Sequence, residues 1–81
     1  MSHPIEPARN KTIAALISAN PSLNPAELRV CLLVLEGLTT AEIARMLDLS
    51  IRTVQNHRYN IRKKLGVRSN LAVALMKIVL G

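Results

Sequence analysis

Apolar residues fall at helical spacing in five stretches of the chain, each bounded by residues that start or stop helices. Ile13, Leu16 and Ile17 make a short stripe between two proline-marked ends. Pro7 suits a first helical turn, and Asn20 before Pro21 is pushed out of the α region, so an accessory helix or linker is expected over residues 7 to 19. The next start is stronger. Asn24 can cap, Pro25 fits the first helical position, and Glu27 stands where a capping-box carboxylate reaches back to the cap amide. The helix predicted from Pro25 to Glu36 has Leu28, Cys31, Leu32 and Leu35 on one face and Val30, Leu33 and Val34 on the other, so it should be covered on both sides. Gly37 stops it, and Thr39 with Glu42 forms a second capping box opening a two-turn helix, Thr40 to Leu47, with Ile43, Ala44 and Leu47 facing inward. Ser50 caps a helix from Ile51 to Leu65 that Gly66 ends, and Ser69 caps a last one, Asn70 to Leu80, apolar almost all round.

The helix from Ile51 carries the most distinctive pattern. At about 100° per residue, Val54, Ile61 and Leu65 fall within about 40° of one another and form a narrow core stripe. Arg52, Gln55, Asn56, Tyr59, Asn60 and Lys63 lie opposite, Arg58 and Arg62 along one edge, and His57 and Lys64 along the other. Gln and Asn can bond an adenine edge in bidentate fashion, Arg can bond guanine, and flanking cations can neutralise phosphates. The preceding short capped helix and tight turn match a helix-turn-helix arrangement.

Composition and charge narrow the possibilities. At 81 residues there is one small domain and no room for a multidomain enzyme. Hydrophobic residues are 49% of the chain but aromatics only 1%, so the core must be aliphatic, which favours helices. The single Cys31 excludes an intramolecular disulfide, two isolated histidines cannot complete a metal shell, and Ser50, His57 and Cys31 have no evident catalytic partners. Without a glycine-rich phosphate loop, neither an enzyme nor a cofactor is expected. Leu71 to Leu80, interrupted by Lys77, is about half a membrane span, and no N-terminal run looks like a signal peptide, so the expected location is the cytoplasm.

The formal charge of +6 is uneven: residues 1–48 come to −1 and residues 49–81, with no acidic residue, to +7. A one-signed half of a small domain points to a polyanion, either nucleic acid or an anionic membrane surface, against the blander alternative of a solvated face. Asn and Gln argue against the membrane, where a broad apolar face is needed. A protein-interaction module using the basic face is the alternative from another class, with RNA binding behind it.

From Leu23 to about Ile78 the chain resembles the DNA-binding domain of LuxR-type (FixJ/NarL-type) bacterial response and quorum-sensing regulators. The residues carrying this are Leu23-Asn24-Pro25-Ala26-Glu27, the run from Glu36 to Ala44, Leu47 with Ser50, Thr53-Val54-Gln55-Asn56-His57, Ile61, and the run from Lys64 to Ser69. The resemblance implies an all-α, four-helix helix-turn-helix domain over residues 23–81, with residues 1–22 an additional N-terminal helix or linker. It places base contacts at Gln55, Asn56 and Tyr59, and backbone contacts at Thr40, Ser50, Arg52, Thr53, Lys63 and Lys64, to which the basic edges add His57, Arg58 and Arg62. Asn24 stands where Thr is commoner, which preserves capping. Tyr59 stands where many relatives carry Lys or another polar residue, so either it reaches a thymine methyl or the DNA backbone, or its ring packs along the helix. His57 is either a phosphate donor or a hydrogen bonder that orients the helix.

In such domains the last helix often dimerises. Here Leu71, Leu75 and Ile78 share one face, leaving Val73, Met76 and Leu80, with Lys77 beside them, for a partner. The competing expectation is that the helix over residues 7–19 covers this stripe. The expected partners are double-stranded DNA, a second copy of the chain, and RNA polymerase. Most relatives attach the domain to a sensory one, so an excised C-terminal domain and a stand-alone effector are both expected possibilities.

Overall fold

Four side-chain caps fix where the helices begin. In a computed structural model describing residues 7–81, with side chains from residue 11 onward, the described chain is all-helical: α1 (Pro7–Ala19), α2 (Pro25–Leu35), α3 (Thr40–Leu47), α4 (Ile51–Leu65) and α5 (Leu71–Leu80). Both expected capping boxes form. Asn24 Oδ1 accepts from the Glu27 amide at 2.8 Å while Glu27 Oε1 accepts from the Asn24 amide at 2.9 Å. Thr39 and Glu42 exchange the equivalent bonds at 3.2 and 2.8 Å. Ser50 Oγ accepts from the Thr53 amide at 3.0 Å and opens α4. The last helix departs from expectation: Asn70, not Ser69, is the cap, its Oδ1 accepting from the Val73 amide at 3.3 Å. Adjacent residues with a capping oxygen compete for this role, and here the amide wins. Glu36 is likewise the C-cap of α2 rather than its last helical residue.

The helix ends use left-handed residues. Gly66 closes α4 at φ +68°, with the Val67 amide donating back to the Arg62 carbonyl at 3.1 Å. The α3–α4 turn does the same without glycine: Asp48 sits at φ 57°, ψ 46°, and the Leu49 amide donates to the Ala44 carbonyl at 2.8 Å. A short polar side chain is among the few non-glycine types that tolerate this conformation.

The core is wholly aliphatic apart from Cys31, and α2 is its axis, touching every other helix. Its fully inward stripe is Glu27, Val30, Cys31 and Val34, which straddles the two faces expected from the sequence, while Leu28, Leu32, Leu33 and Leu35 are partly covered. Leu23 before α2, Ile43 and Ala44 from α3, Val54 and Ile61 from α4, and Leu71 and Leu75 from α5 join the cluster. Leu47 and Leu65, expected inward, are half-buried at its margin.

Helix α1 packs against α5 and α2 and inserts a fully buried Leu16 into the same cluster. Ile13 is half-buried, and Ile17, expected in the stripe, is 43% exposed. α1 does not cover the outer face of α5, because Val73, Met76 and Leu80 remain exposed beside it. Among the described residues no helix is long and apolar enough to cross a membrane.

Candidate nucleic-acid interface

The helical period separates α4 into two faces, and the fold respects that separation. Val54 and Ile61 have no exposed surface, whereas Arg52, Gln55, Asn56, Tyr59, Asn60 and Lys63 are all exposed. The core therefore holds α4 by its apolar stripe and turns its hydrogen-bonding face outward. The first turn of α4 contains no acidic residue and its last turn carries Arg62, Lys63 and Lys64. The amide-rich N-terminus thus keeps its partial positive charge with no acidic residue in its own first turn to offset it. There Ser50 Oγ lies 2.9 Å from Thr53 Oγ1, next to exposed Arg52.

Tyr59 is 59% exposed, and the Lys63 ammonium sits 5.4 Å from its ring centroid, one helical turn away. The ring thus lies along the helix beside Lys63 while most of it stays open to solvent. Arg58 and Arg62 are both half-buried at the edge, and the Arg58 pKa is pushed down by burial and then by the like charge on Arg62. His57 is half-buried and lines a cleft with Ala26, Arg29, Leu47 and Leu49. At the start of α3, Thr40 is half-buried behind the Thr39–Glu42 capping box. The Glu42 carboxyl lies below its ordinary range because the Thr39 amide and hydroxyl bond its ionised form.

Lys64 is placed differently from its neighbours. Its ammonium donates to Glu27 Oε1 at 2.6 Å and to the Ser22 carbonyl at 2.8 Å. Expected at a phosphate, it is already engaged inside the fold. Its partner Glu27, 2% exposed, was expected only as a capping residue. The available signal was its register: positions 27, 30, 31 and 34 lie on one face of α2, so the cap carboxylate continues the buried stripe. Burial pushes the Glu27 carboxyl up, but the Lys64 ammonium and the Asn24 amide outweigh it and the pKa is lowered. Among the described residues no cluster could hold a metal ion.

This capped helix, tight turn and second helix with a buried underside and polar upper side occupy a segment that, from residue 21 to residue 77, matches the bacterial regulatory proteins, luxR family. The chain belongs to the luxR family. Its relatives include the uncharacterized response regulatory protein YgeK of Escherichia coli (strain K12), 36% identical over 69 residues that cover 85% of this chain and 47% of YgeK. The spore germination protein GerE of Bacillus subtilis (strain 168) is 40% identical over 62 residues, 74% of this chain and 84% of GerE. A Mycobacterium tuberculosis (strain ATCC 25618 / H37Rv) protein that bears the name "Putative HTH-type transcriptional regulator Rv0890c" is 46% identical over 50 residues, 62% of this chain and 6% of that protein. The luxR-family chain thus spans about half of YgeK and a small fraction of the mycobacterial protein. No solved structure matches it. The family and the helix-turn-helix geometry together make this a DNA-binding domain of bacterial transcription regulation.

Proposed function

We propose that this domain reads double-stranded DNA with α4 in the major groove. Gln55, Asn56 and Tyr59 meet base edges, and Thr40, Ser50, Arg52, Thr53, Arg58, Arg62 and Lys63 run along the backbone, with His57 at their margin. The observation carrying this reading is the division of α4: six polar residues exposed on one face, two aliphatic residues fully buried on the other. A surface kept dry for a partner protein would be richer in apolar and aromatic groups; this one offers amides and cations at helical spacing.

A second copy joins through the outer face of α5, where Val73, Met76 and Leu80 are 47%, 50% and 78% exposed beside Lys77. A two-fold pair would set two α4 helices about one DNA turn apart and favour a palindromic site. RNA polymerase is the further partner such a regulator would meet, and the cytoplasm the compartment where it would find DNA.

The test is fluorescence anisotropy of a random-sequence duplex at several salt concentrations, followed by selection of preferred sequences. Each phosphate neutralised adds about −0.9 to the slope of log K against log salt. A steep slope followed by enrichment of one sequence supports the reading. Gln55→Ala with Asn56→Ala should then abolish discrimination while sparing nonspecific affinity. Absence of binding at low salt refutes it.

A further inference from the structure

Among the described residues Glu27 is the one charged side chain the fold buries. Burying a carboxylate is expensive, and a well-packed apolar side chain usually stabilises a core as well or better. The capping box explains a carboxylate at the start of α2 but not its reach to the end of α4. Glu27 Oε1 accepts from the Asn24 amide at 2.9 Å and from the Lys64 ammonium at 2.6 Å, so it sits between the first turn of α2 and the last turn of α4. Lys64 also donates to the Ser22 carbonyl, and Asn20 Nδ2 donates to the Lys64 carbonyl. The end of α4 is therefore tied by side chain and by backbone to the α1–α2 loop.

The apolar stripe of Val54 and Ile61 decides which face of α4 points outward, but a small roll that keeps both residues buried is opposed less sharply, because those contacts are non-directional. Successive side chains differ by about 100° around the axis, so a modest roll carries Gln55 and Asn56 away from any fixed target. Hydrogen bonds and a charge pair at the far end oppose that roll because they weaken steeply with angle and distance. The lowered Glu27 pKa keeps the carboxylate ionised and the pair intact at neutral pH.

We propose that Glu27 and Lys64 form a positioning pair that sets the roll of α4, so that both govern which DNA sequence is chosen without touching DNA. The proposal rests on the DNA-reading role of α4. It also assigns the Lys64 cation to the fold rather than to a phosphate.

The experiment uses the full chain, a duplex selected by the wild-type protein from a random library, and a random-sequence duplex of equal length. Affinity for both is measured across a salt series for wild type, Glu27→Gln, Lys64→Met, the double variant and Lys64→Arg, with thermal melts confirming that each is folded at the assay temperature. Glu27→Gln keeps an acceptor for the Asn24 amide and so isolates the pair from the cap. The expected result is that Glu27→Gln and Lys64→Met each lose discrimination between the duplexes, by about tenfold where a bidentate base contact is misplaced. The salt slope stays unchanged, the double variant loses no more than the worse single one, and Lys64→Arg restores discrimination.

Lys64→Met reducing the slope by about 0.9 with affinity lost equally on both duplexes would instead place Lys64 at a phosphate and overturn the proposal. Lower melting temperatures with discrimination intact would reduce the pair to a structural role and also overturn it. A wild type that prefers no duplex removes the DNA reading and this proposal with it. A preference that survives in both single variants removes this proposal alone.

Discussion

If α1 belongs to the core, truncating Leu16 must destabilise the whole domain. Leu16 has no exposed surface and lies in the same cluster as Val30, Ile61 and Leu75. Leu→Ala at fully buried sites costs about 2.7 to 5 kcal/mol, the sum of lost transfer energy and the cavity left behind. α1 is a peripheral helix whose Ala14, Ile17, Ser18 and Ala19 are exposed, so it can settle partly into the gap, and the lower end, about 3 kcal/mol, is expected. In a domain of this size each kcal/mol moves Tm by about 4 to 8 °C, so Leu16→Ala should lower it by about 12 to 24 °C in a far-UV circular dichroism melt. Ile17→Ala, one residue on at an exposed site, should cost under about 1 kcal/mol and serves as the control. A Leu16→Ala melt within about 3 °C of wild type would show that α1 peels away before the domain unfolds, and would refute its place in the core.

Four other outcomes are expected. Gly66→Ala meets no atom within 4 Å but must hold φ +68°, so it should cost about 1 kcal/mol in urea unfolding, with Gly66→Asn losing less. Cys31 is buried, with its pKa raised to about 11 by burial and the Glu27 charge, so at about pH 8 a thiol reagent should modify it only at the rate the domain opens. Glu27 has a folded pKa below its ordinary value of 4.5; its contribution is complete above that value and lost as pH falls through the lower folded one, and Glu27→Gln should flatten this acid limb of stability against pH. Val73→Glu with Met76→Glu, both at exposed sites, should leave Tm nearly unchanged while converting two-copy binding on a palindromic duplex to one-copy binding, seen in sedimentation velocity.

Features written within a few residues were legible in the sequence. Both capping boxes depend on partners three positions apart, and both form with the expected residues. The two faces of α4 follow from helical period alone, which is why Val54 and Ile61 are inward and Gln55, Asn56 and Tyr59 outward as expected. Some misplaced features depend on neighbours that are distant in the chain, others on local choices the pattern leaves open. Ile13, Leu16 and Ile17 form a plausible stripe, yet only packing against α5 and α2 decides that Leu16 goes inward and Ile17 outward. Ser69 and Asn70 carry equivalent capping signals that local pattern does not rank. The left-handed Asp48 was hidden because a turn without glycine has no strong signature.

Charge shows the same limit with a functional consequence. Seven cations and no acidic residue after position 48 suggest a uniformly basic surface, but the seven are not equivalent in the fold. Lys64 is held by a carboxylate 37 residues earlier in the chain, and Arg58 and Arg62 are half-buried. Arg52 and Lys63 are the α4 cations left exposed, one at each end of the polar face. If α4 reads DNA as proposed, a sequence-based charge count therefore overstates the cations free to meet phosphates, and a salt slope drawn from it should be too steep. The cation it miscounts has its own use. Because Glu27 caps α2, its carboxylate is held by the Asn24 amide, and Lys64 meets an anion whose position the capping box sets. A local motif that starts one helix thereby fixes the end of another, and no pattern shorter than the chain can show it.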